Sequence, residues 1–304
     1  MQSAPRVNPT PLMPADRCTG DPKFLERIGL SRRAIIDTTG TRGVGVIVFD
    51  VDERGQPTRS VVHPSWSQAG HVGRIQRDRH GHIYLHPAPN VSLEHNPIER
   101  ANRIYRIDSE SGVMSLFVEL PKAAEANERN PFGVLALALD CDADALYAST
   151  VYGSTPSAER GVIARIDLGT RTVRVARTGL DALSLAVARE GPGRRLYVGT
   201  ARDNTIISYA IKPDGTLADD ERVEIELDRI PVAQDKRPRV LRIDAEGRLH
   251  VRSIPFDYTL AARTSIPTAE LVFARTASGA FELIHQRESQ VPAGGRVPRP
   301  AESR

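Results

Sequence analysis

Six residues of this chain stand at the entrances or exits of apolar runs, where a polar side chain could do chemistry: His71, Asn130, Asp181, Arg202, Arg239 and Arg252. Asn130 and Asp181 are oxygen donors just ahead of the runs Val134–Leu139 and Leu183–Ala188. A carboxylate, a carboxamide and an imidazole together suit Ca²⁺, Mg²⁺ or Zn²⁺. Such an ion would polarise a lactone or ester carbonyl and activate water. His71 is the candidate proton carrier of that chemistry, and Arg202, Arg239 and Arg252 are candidates for holding a polar ligand. The competing expectation is that these groups only solvate a water-filled channel and cap strand ends.

Other constellations are weaker. Asp140, Asp142 and Asp144 form D-x-D-x-D, which begins like a calcium loop but lacks its glycine and its distant glutamate. A hairpin turn is the expected reading, because Asp is a turn former. His82, Tyr84 and His86 alternate and so share one strand face. No second pair of zinc ligands has matching spacing, so this is expected to be an ordinary polar face. G-x-S-x-G, H-E-x-x-H and P-loop patterns are absent, which argues against those hydrolase and nucleotide-binding classes. The two cysteines, Cys18 and Cys141, make no C-x-x-C motif. A bridge between them requires an oxidising compartment; the expectation is two free thiols, with Cys141 in a turn beside a strand.

The elements that must position these residues repeat along the chain. The stretch 130–150, NPFGVLALALDCDADALYAST, joins an apolar strand through a polar turn to a second apolar strand. The pattern returns at 182–200 and 239–253, and more loosely at 72–86. A third strand then exits into a polar turn, as in VFDVDERG, YRIDSESG, ARIDLGTR, SYAIKPDG and VFARTASG. Units of four short strands at this spacing indicate the blades of a β-propeller. Each sheet has two faces to bury, and a ring covers each with its neighbour. Five units fit between Phe24 and His285, with six only if residues 22–40 form an extra, incomplete blade. A β-sandwich would not predict the recurring fourfold rhythm.

Residues 1–22 and 286–304 are rich in proline and polar residues and are expected to be extended or disordered flanks of a single propeller domain, 23–285. Insertions at 87–101 and 255–267 are expected to display aromatics and prolines to a partner.

The blade openings PFGVLALALDCDADALYAST, GLDALSLAVAREGPGRRLYVGT and RVLRIDAEGRLHVRS resemble those of the propeller superfamily of NHL-repeat, regucalcin/gluconolactonase-like and strictosidine-synthase-like proteins. In its lactonases, a divalent metal on the axis is held by an early Glu and by Asn and Asp at inner-strand starts. The resemblance therefore implies metal ligation by Asn130 and Asp181. The match is not complete: Pro131 and Phe132 separate Asn130 from Gly133, and the early Glu has no clear counterpart beyond Glu26. The functional expectation is a propeller that binds a small polar organic ligand at its axial mouth, with metal-assisted lactone or ester hydrolysis as its chemistry. The alternative is a non-catalytic scaffold for a ligand or protein.

Composition narrows the partners. The net charge is +3, and only four of the 41 basic residues are lysine. Acidic residues are interspersed and no basic block carries aromatics, so nucleic acid is not an expected partner. No apolar run approaches the ~20 residues that span a bilayer. A small molecule or a protein remains as partner, with a monomer as the expected state. The N-terminus, MQSAPRVNPTPLMPADRC, lacks the basic and apolar regions of a signal peptide, and the compartment stays open.

Overall fold

A computed structural model describes residues 12–15, 18–31, 33–38, 44–89, 93–127, 129–260 and 264–292. After the short strand β1 (Leu12–Pro14) and one helical turn, α1 (Phe24–Arg27), the chain forms five antiparallel sheets in succession. The first contains β2 (Ile35–Asp37), β3 (Ile47–Val51) and β4 (Pro57–Val61). The second is β5 (Gln76–Arg77), β6 (Ile83–Leu85), β7 (Arg103–Ile107) and β8 (Met114–Glu119). The third is β9 (Val134–Asp140), β10 (Ala145–Thr150), β11 (Val162–Asp167) and β12 (Val173–Thr178). The fourth is β13 (Ala182–Glu190), β14 (Gly193–Thr200), β15 (Thr205–Ile211) and β16 (Arg222–Glu226), with β1 added beside β13. The fifth is β17 (Arg237–Ile243), β18 (Leu249–Ile254), β19 (Ser265–Arg275) and β20 (Phe281–Pro292). The sheets are the blades of a five-bladed β-propeller. Residues 35–37 belong to the first blade rather than to a sixth.

Burial explains why the blades must stack. Every residue of β9 is buried. Leu137 and Leu139 pack against Tyr84, Ile104 and Phe117 of the second blade. The intervening Ala136 and Ala138 pack toward Leu185, Val187 and Leu196 of the fourth. A strand covered on both faces reads as a continuous apolar run, and a one-residue register slip would exchange its large and small sides. Similar clusters join the first blade to the second, through Val48, Ile83 and Ile107, and the fourth to the fifth, through Ala186, Leu241 and Val251. Among the described residues no apolar cluster joins the fifth blade to the first. The fifth blade's far face carries Arg252, Glu270 and Arg287 instead, with Glu270 bridging the two arginines.

The inner strands are β5, β9, β13 and β17, which lie against one another in turn. Their exits turn into the second strand of each blade at one end of the ring. There the structure departs from the expected N-terminal tail. Leu12, Met13 and Pro14 pair with Glu190, Arg189 and Ala188. Ala15 O accepts from Cys141 N at 3.1 Å, Gly20 N donates to Asp78 O at 2.8 Å, and Phe24 N donates to Ser109 O at 2.8 Å. The segment is a strap across the inner-strand turns of four blades. Two turn glycines make room for it. Gly247 and Gly81 have φ of 76° and 80°, and a Cβ there would lie 2.4 Å from Leu12 O and 2.5 Å from Asp21 O. Only glycine satisfies both the positive φ and the close approach.

Cys18 and Cys141 are disulfide-bonded, with Cα atoms 5.7 Å apart across 123 residues of sequence. This corrects the expectation of two free thiols: the strap delivers Cys18 to the turn after β9, a proximity that no spacing rule encodes. At the other terminus β20 continues to Pro292, past the expected limit of 285, because β19 extends in register with it from Ser265. Residues 1–11, 16–17 and 293–304 of the expected tails lie outside the described residues.

One turn under the strap makes stability depend on pH. The Asp244 carboxylate accepts from the Arg248 guanidinium at 2.6 Å and backbone at 2.8 Å, and pairs with His250 Nε2 at 2.8 Å. Burial alone would raise its pKa, but the His250 and Arg248 hydrogen bonds outweigh that and hold it at about 2. A depressed acid contributes stability above its unfolded pKa, near 4, and loses it as the pH falls through the folded value. The wild-type melting temperature should therefore fall between about pH 4 and pH 2 more steeply than that of Asp244→Asn. Parallel curves for the two proteins would refute this.

Candidate functional site

The opposite face of the ring carries the starts of the inner strands and the loops between second and third strands. Its centre is Asp181, fully buried just before β13. Oδ1 accepts from Ser154 Oγ at 2.6 Å and from Gly161 N at 2.8 Å. Oδ2 accepts from the Tyr258 hydroxyl and lies 3.5 Å from Arg202 Nη2. Asn130 lies one blade away and is also buried. Its amide donates to Val151 O and Ser154 O at 2.8 and 2.9 Å, and its Oδ1 accepts from Phe132 N. Ser154 thus links the two residues: its carbonyl binds Asn130 and its hydroxyl binds Asp181.

These donors do not suit a divalent ion. The Asn130 carboxamide is spent on the 151–154 turn. Both Asp181 oxygens face donors, and Oδ2 also faces the Arg202 guanidinium, whose charge repels a cation. Among the described residues no three His, Cys, Asp or Glu side chains cluster as a metal site. The sequence-predicted ligands come together as a structural polar knot.

Arg202 is held on the rim of this knot. It donates to Pro156 O at 2.9 Å and Thr155 O at 2.6 Å and faces the Tyr258 ring, 5.5 Å from its centroid. Glu159 completes the group: Oε1 accepts from Asp181 N, and Oε2 lies 3.6 Å from Arg202 Nε. Burial raises the Glu159 pKa, the Asp181 charge adds to this, and the Asp181 N–H and Arg202 oppose it. A raised acid destabilises the fold once the pH rises through its folded pKa. Glu159→Gln keeps an acceptor for Asp181 N, so it should raise the melting temperature at pH 7. That gain should vanish below about pH 4, where both side chains are neutral. A pH-independent difference would show that the charge is not what matters.

Aromatic residues cover the inner side of the knot. Phe132, Phe256 and Tyr258 form a chain with ring centroids 5.4 and 5.3 Å apart, and they pack on Leu135, Val151, Leu183 and Ala201. Phe256 and Tyr258 come from the loop after β18, whose aromatics were expected to be exposed. Instead Tyr258 is buried and Phe256 half-buried, because the Tyr258 hydroxyl is drawn to Asp181. Residues 261–263 of that loop and 90–92 of the first insertion lie outside the described residues.

Arg239 reaches from β17 to the neighbouring inner strands. Its Nη1 donates to Leu135 O at 2.8 Å and Leu183 O at 2.9 Å, bridging the inner strands of the third and fourth blades. Gln76 Nε2 likewise donates to Leu137 O at 2.9 Å. Burial lowers the Arg239 pKa to about 10, and neighbouring Arg74 adds to the shift.

The other predicted residues lie apart. His71 sits on the second blade with its ring 5.6 Å from that of His95. Burial lowers its pKa, and His95 adds to this. Among the described residues no hydrogen bond or ring contact links His71 to the Asp181 knot. Arg252 lies 3.5 Å from Glu270 on the fifth blade's far face. The acidic turn is a hairpin: Asp140 pairs with Arg194, Asp142 with Arg189 and Asp144 with Arg79. Tyr84 and His86 are buried, and Tyr84 donates to Asp78 at 3.0 Å. Sequence reading missed Ser154 and Glu159, which sit in loops without periodic signal. It noted Phe256 and Tyr258 only as loop aromatics.

Fold and site together define a β-propeller with a strapped face and an aromatic-lined polar face. No protein-family model matches the chain, and no curated protein matches it. Solved structures align with much of the chain. A luciferin-regenerating enzyme aligns with TM-score 0.50 and 12% identity over 86% of this chain and 82% of that one. A chain of a nidogen/laminin complex aligns with TM-score 0.46 and 12% identity, over 83% and 92%. A 6-phosphogluconolactonase-like protein from Bacteroides uniformis aligns with TM-score 0.44 and 15% identity, over 83% and 67%. At 12% identity the likeness to the luciferin-regenerating enzyme is one of fold alone, and propellers host many unrelated functions. No helix among the described residues is long and apolar enough to cross a membrane.

Proposed function

We propose that this protein binds a small polar organic ligand at the axial mouth opposite the strap. The observation that carries this reading is the grouping of half-buried Phe132 and Phe256 with Arg202, Glu159 and Arg239 around the inner-strand starts. Binding sites commonly combine an apolar wall with a few convergent polar groups. The strap occupies the other face and supports access from the mouth side alone.

Hydrolysis of a lactone or ester is the second reading. Its support is Glu159, an acid of raised pKa next to an arginine, which is the environment of a proton-transfer group. The resemblance to lactonase-like propellers belongs to this reading. A metal in this chemistry would need donors other than Asn130 and Asp181. A non-catalytic scaffold is the remaining alternative, and a turnover assay with a lactone panel separates it from the hydrolase.

The test of the binding reading is a ligand-observed NMR screen of small polar compounds, repeated on Phe256→Ala. Saturable binding weakened about tenfold or more by the substitution is expected. Equal binding by both proteins would place the ligand elsewhere.

A further inference from the structure

We propose that His71 and His95 form a binding site for a transition-metal ion of the Zn²⁺, Ni²⁺ and Cu²⁺ class on the mouth face of the second blade. The site uses none of the residues of the organic-ligand reading and does not depend on it. His71 precedes β5 and His95 follows β6, yet their ring centroids lie 5.6 Å apart. With metal–nitrogen bonds of about 2.0–2.1 Å and tetrahedral angles, two imidazoles on one ion place their centroids about 5 Å apart. The rings now meet edge to face, with 71° between their planes. His95 is exposed, and turning its ring brings a nitrogen of each imidazole onto one point.

The backbone holds this pair together independently of the rings. Asn96, next to His95, is buried, and its side chain clamps His71 on both sides. Oδ1 accepts from His71 N at 2.9 Å, while Nδ2 donates to His71 O at 2.9 Å and to Ala69 O at 3.2 Å. Gly70, with φ of 67°, lies so near that a Cβ there would be 2.1 Å from His95 O. Only glycine allows both that φ and that approach. The two segments are therefore fixed against each other before an ion binds, which cuts the ordering cost of chelation.

The rings are also uncommitted. Among the described residues, His71 is the one buried or half-buried histidine whose ring makes no hydrogen bond. His63 bonds Ser65, His82 accepts from Ser109 N, His86 bonds Pro87 O and His250 bonds Asp244. Polar groups removed from water usually find such a partner. The His95 ring makes no hydrogen bond among those residues either. Burial and the nearby His95 lower the His71 pKa, so at pH 7 its ring is neutral and keeps a lone pair for a metal. Neutral imidazoles suit zinc, nickel and copper, whereas Mg²⁺ and Ca²⁺ select oxygen donors. Two protein donors leave the other coordination positions to water or to a donor atom of a bound molecule.

The experiment titrates Zn²⁺, Ni²⁺, Cu²⁺ and, as the hard-ion control, Mg²⁺ into the chelator-treated full chain, with calorimetry and thermal shift as readouts. Saturable binding of the transition metals is expected, tightest for Cu²⁺, with Mg²⁺ inert. His95→Ala removes an exposed side chain and so preserves the fold; it should weaken binding about tenfold or more. His71→Ala should do the same, and the first variant covers the case in which the second does not fold. The other close histidine pair, His80 and His82, has its rings 6.4 Å apart in the turn after β5, under the strap. His80→Ala should leave the affinity unchanged. Imidazole NMR resonances of His71 and His95 should broaden together on adding Ni²⁺. Absence of saturable binding by all three transition metals would overturn the site. So would an affinity undiminished in His95→Ala, or one lost in His80→Ala, which would put the ion on the strap face.

Discussion

Reducing the Cys18–Cys141 bridge is expected to lower the melting temperature by about 4–8 °C. The bridge closes a loop of 123 residues. In the chain-entropy description a loop of this length contributes at most about 5 kcal/mol, with about 2–4 kcal/mol more typical of measured disulfides. The effect should be large here because the bond joins the strap to the third blade, while hydrogen bonds hold the same strap to the second and fourth. Cys18→Ser, Cys141→Ser and the double variant should share one melting temperature, since each removes the same link. Thiol titration of the native protein should find no free cysteine. Two reactive thiols, or a melting temperature unmoved by reductant, would refute the strap's role. A structural disulfide of this kind is at home in an oxidising compartment.

Asp181→Ala is expected to cost about 2–4 kcal/mol of stability, because it leaves two buried hydroxyls and a buried backbone N–H without their acceptor and removes the charge that faces a half-buried arginine. The groups stranded are Ser154, Tyr258 and Gly161 N, while Arg202 keeps Thr155 O, Pro156 O and Glu159. Asp181→Asn retains an acceptor for Ser154 and Gly161 but removes the charge facing Arg202, so about 1–3 kcal/mol is expected. Denaturant titration measures both. Elemental analysis of the same samples tells this structural role apart from metal ligation. If Asp181→Ala left stability unchanged and stripped a stoichiometric divalent ion, the knot would be a metal centre after all.

The two predictions touch the parts of the molecule that differed most in legibility. The blades were readable because a strand covered on both faces cannot hide its composition: β9 is apolar up to its last residue, and β13 is apolar but for Ser184 until it reaches Arg189. The turns that end them carry Asp and Gly for local conformational reasons. Asn130, Asp181 and Arg239 were readable as candidates because they sit at fixed offsets from those strands. Their roles were not readable, since a carboxamide ahead of a strand looks the same whether it binds a metal or caps the 151–154 turn. Tyr258 decides that question for Asp181 from 77 residues away.

By itself the sequence determined what is local and periodic: the strand rhythm, the turn chemistry, a count of five blades with a sixth left open, and the end of the ring at which Asn130 and Asp181 gather. Tertiary structure alone decided which polar groups meet. It brought Cys18 to Cys141, turned Phe256 and Tyr258 inward, spent Asn130 on backbone carbonyls, and set Arg239 on the carbonyls of Leu135 and Leu183. The physical reason is that burial patterns are written into every strand in turn. A contact between residues far apart in the chain exists only once the ring brings their blades together.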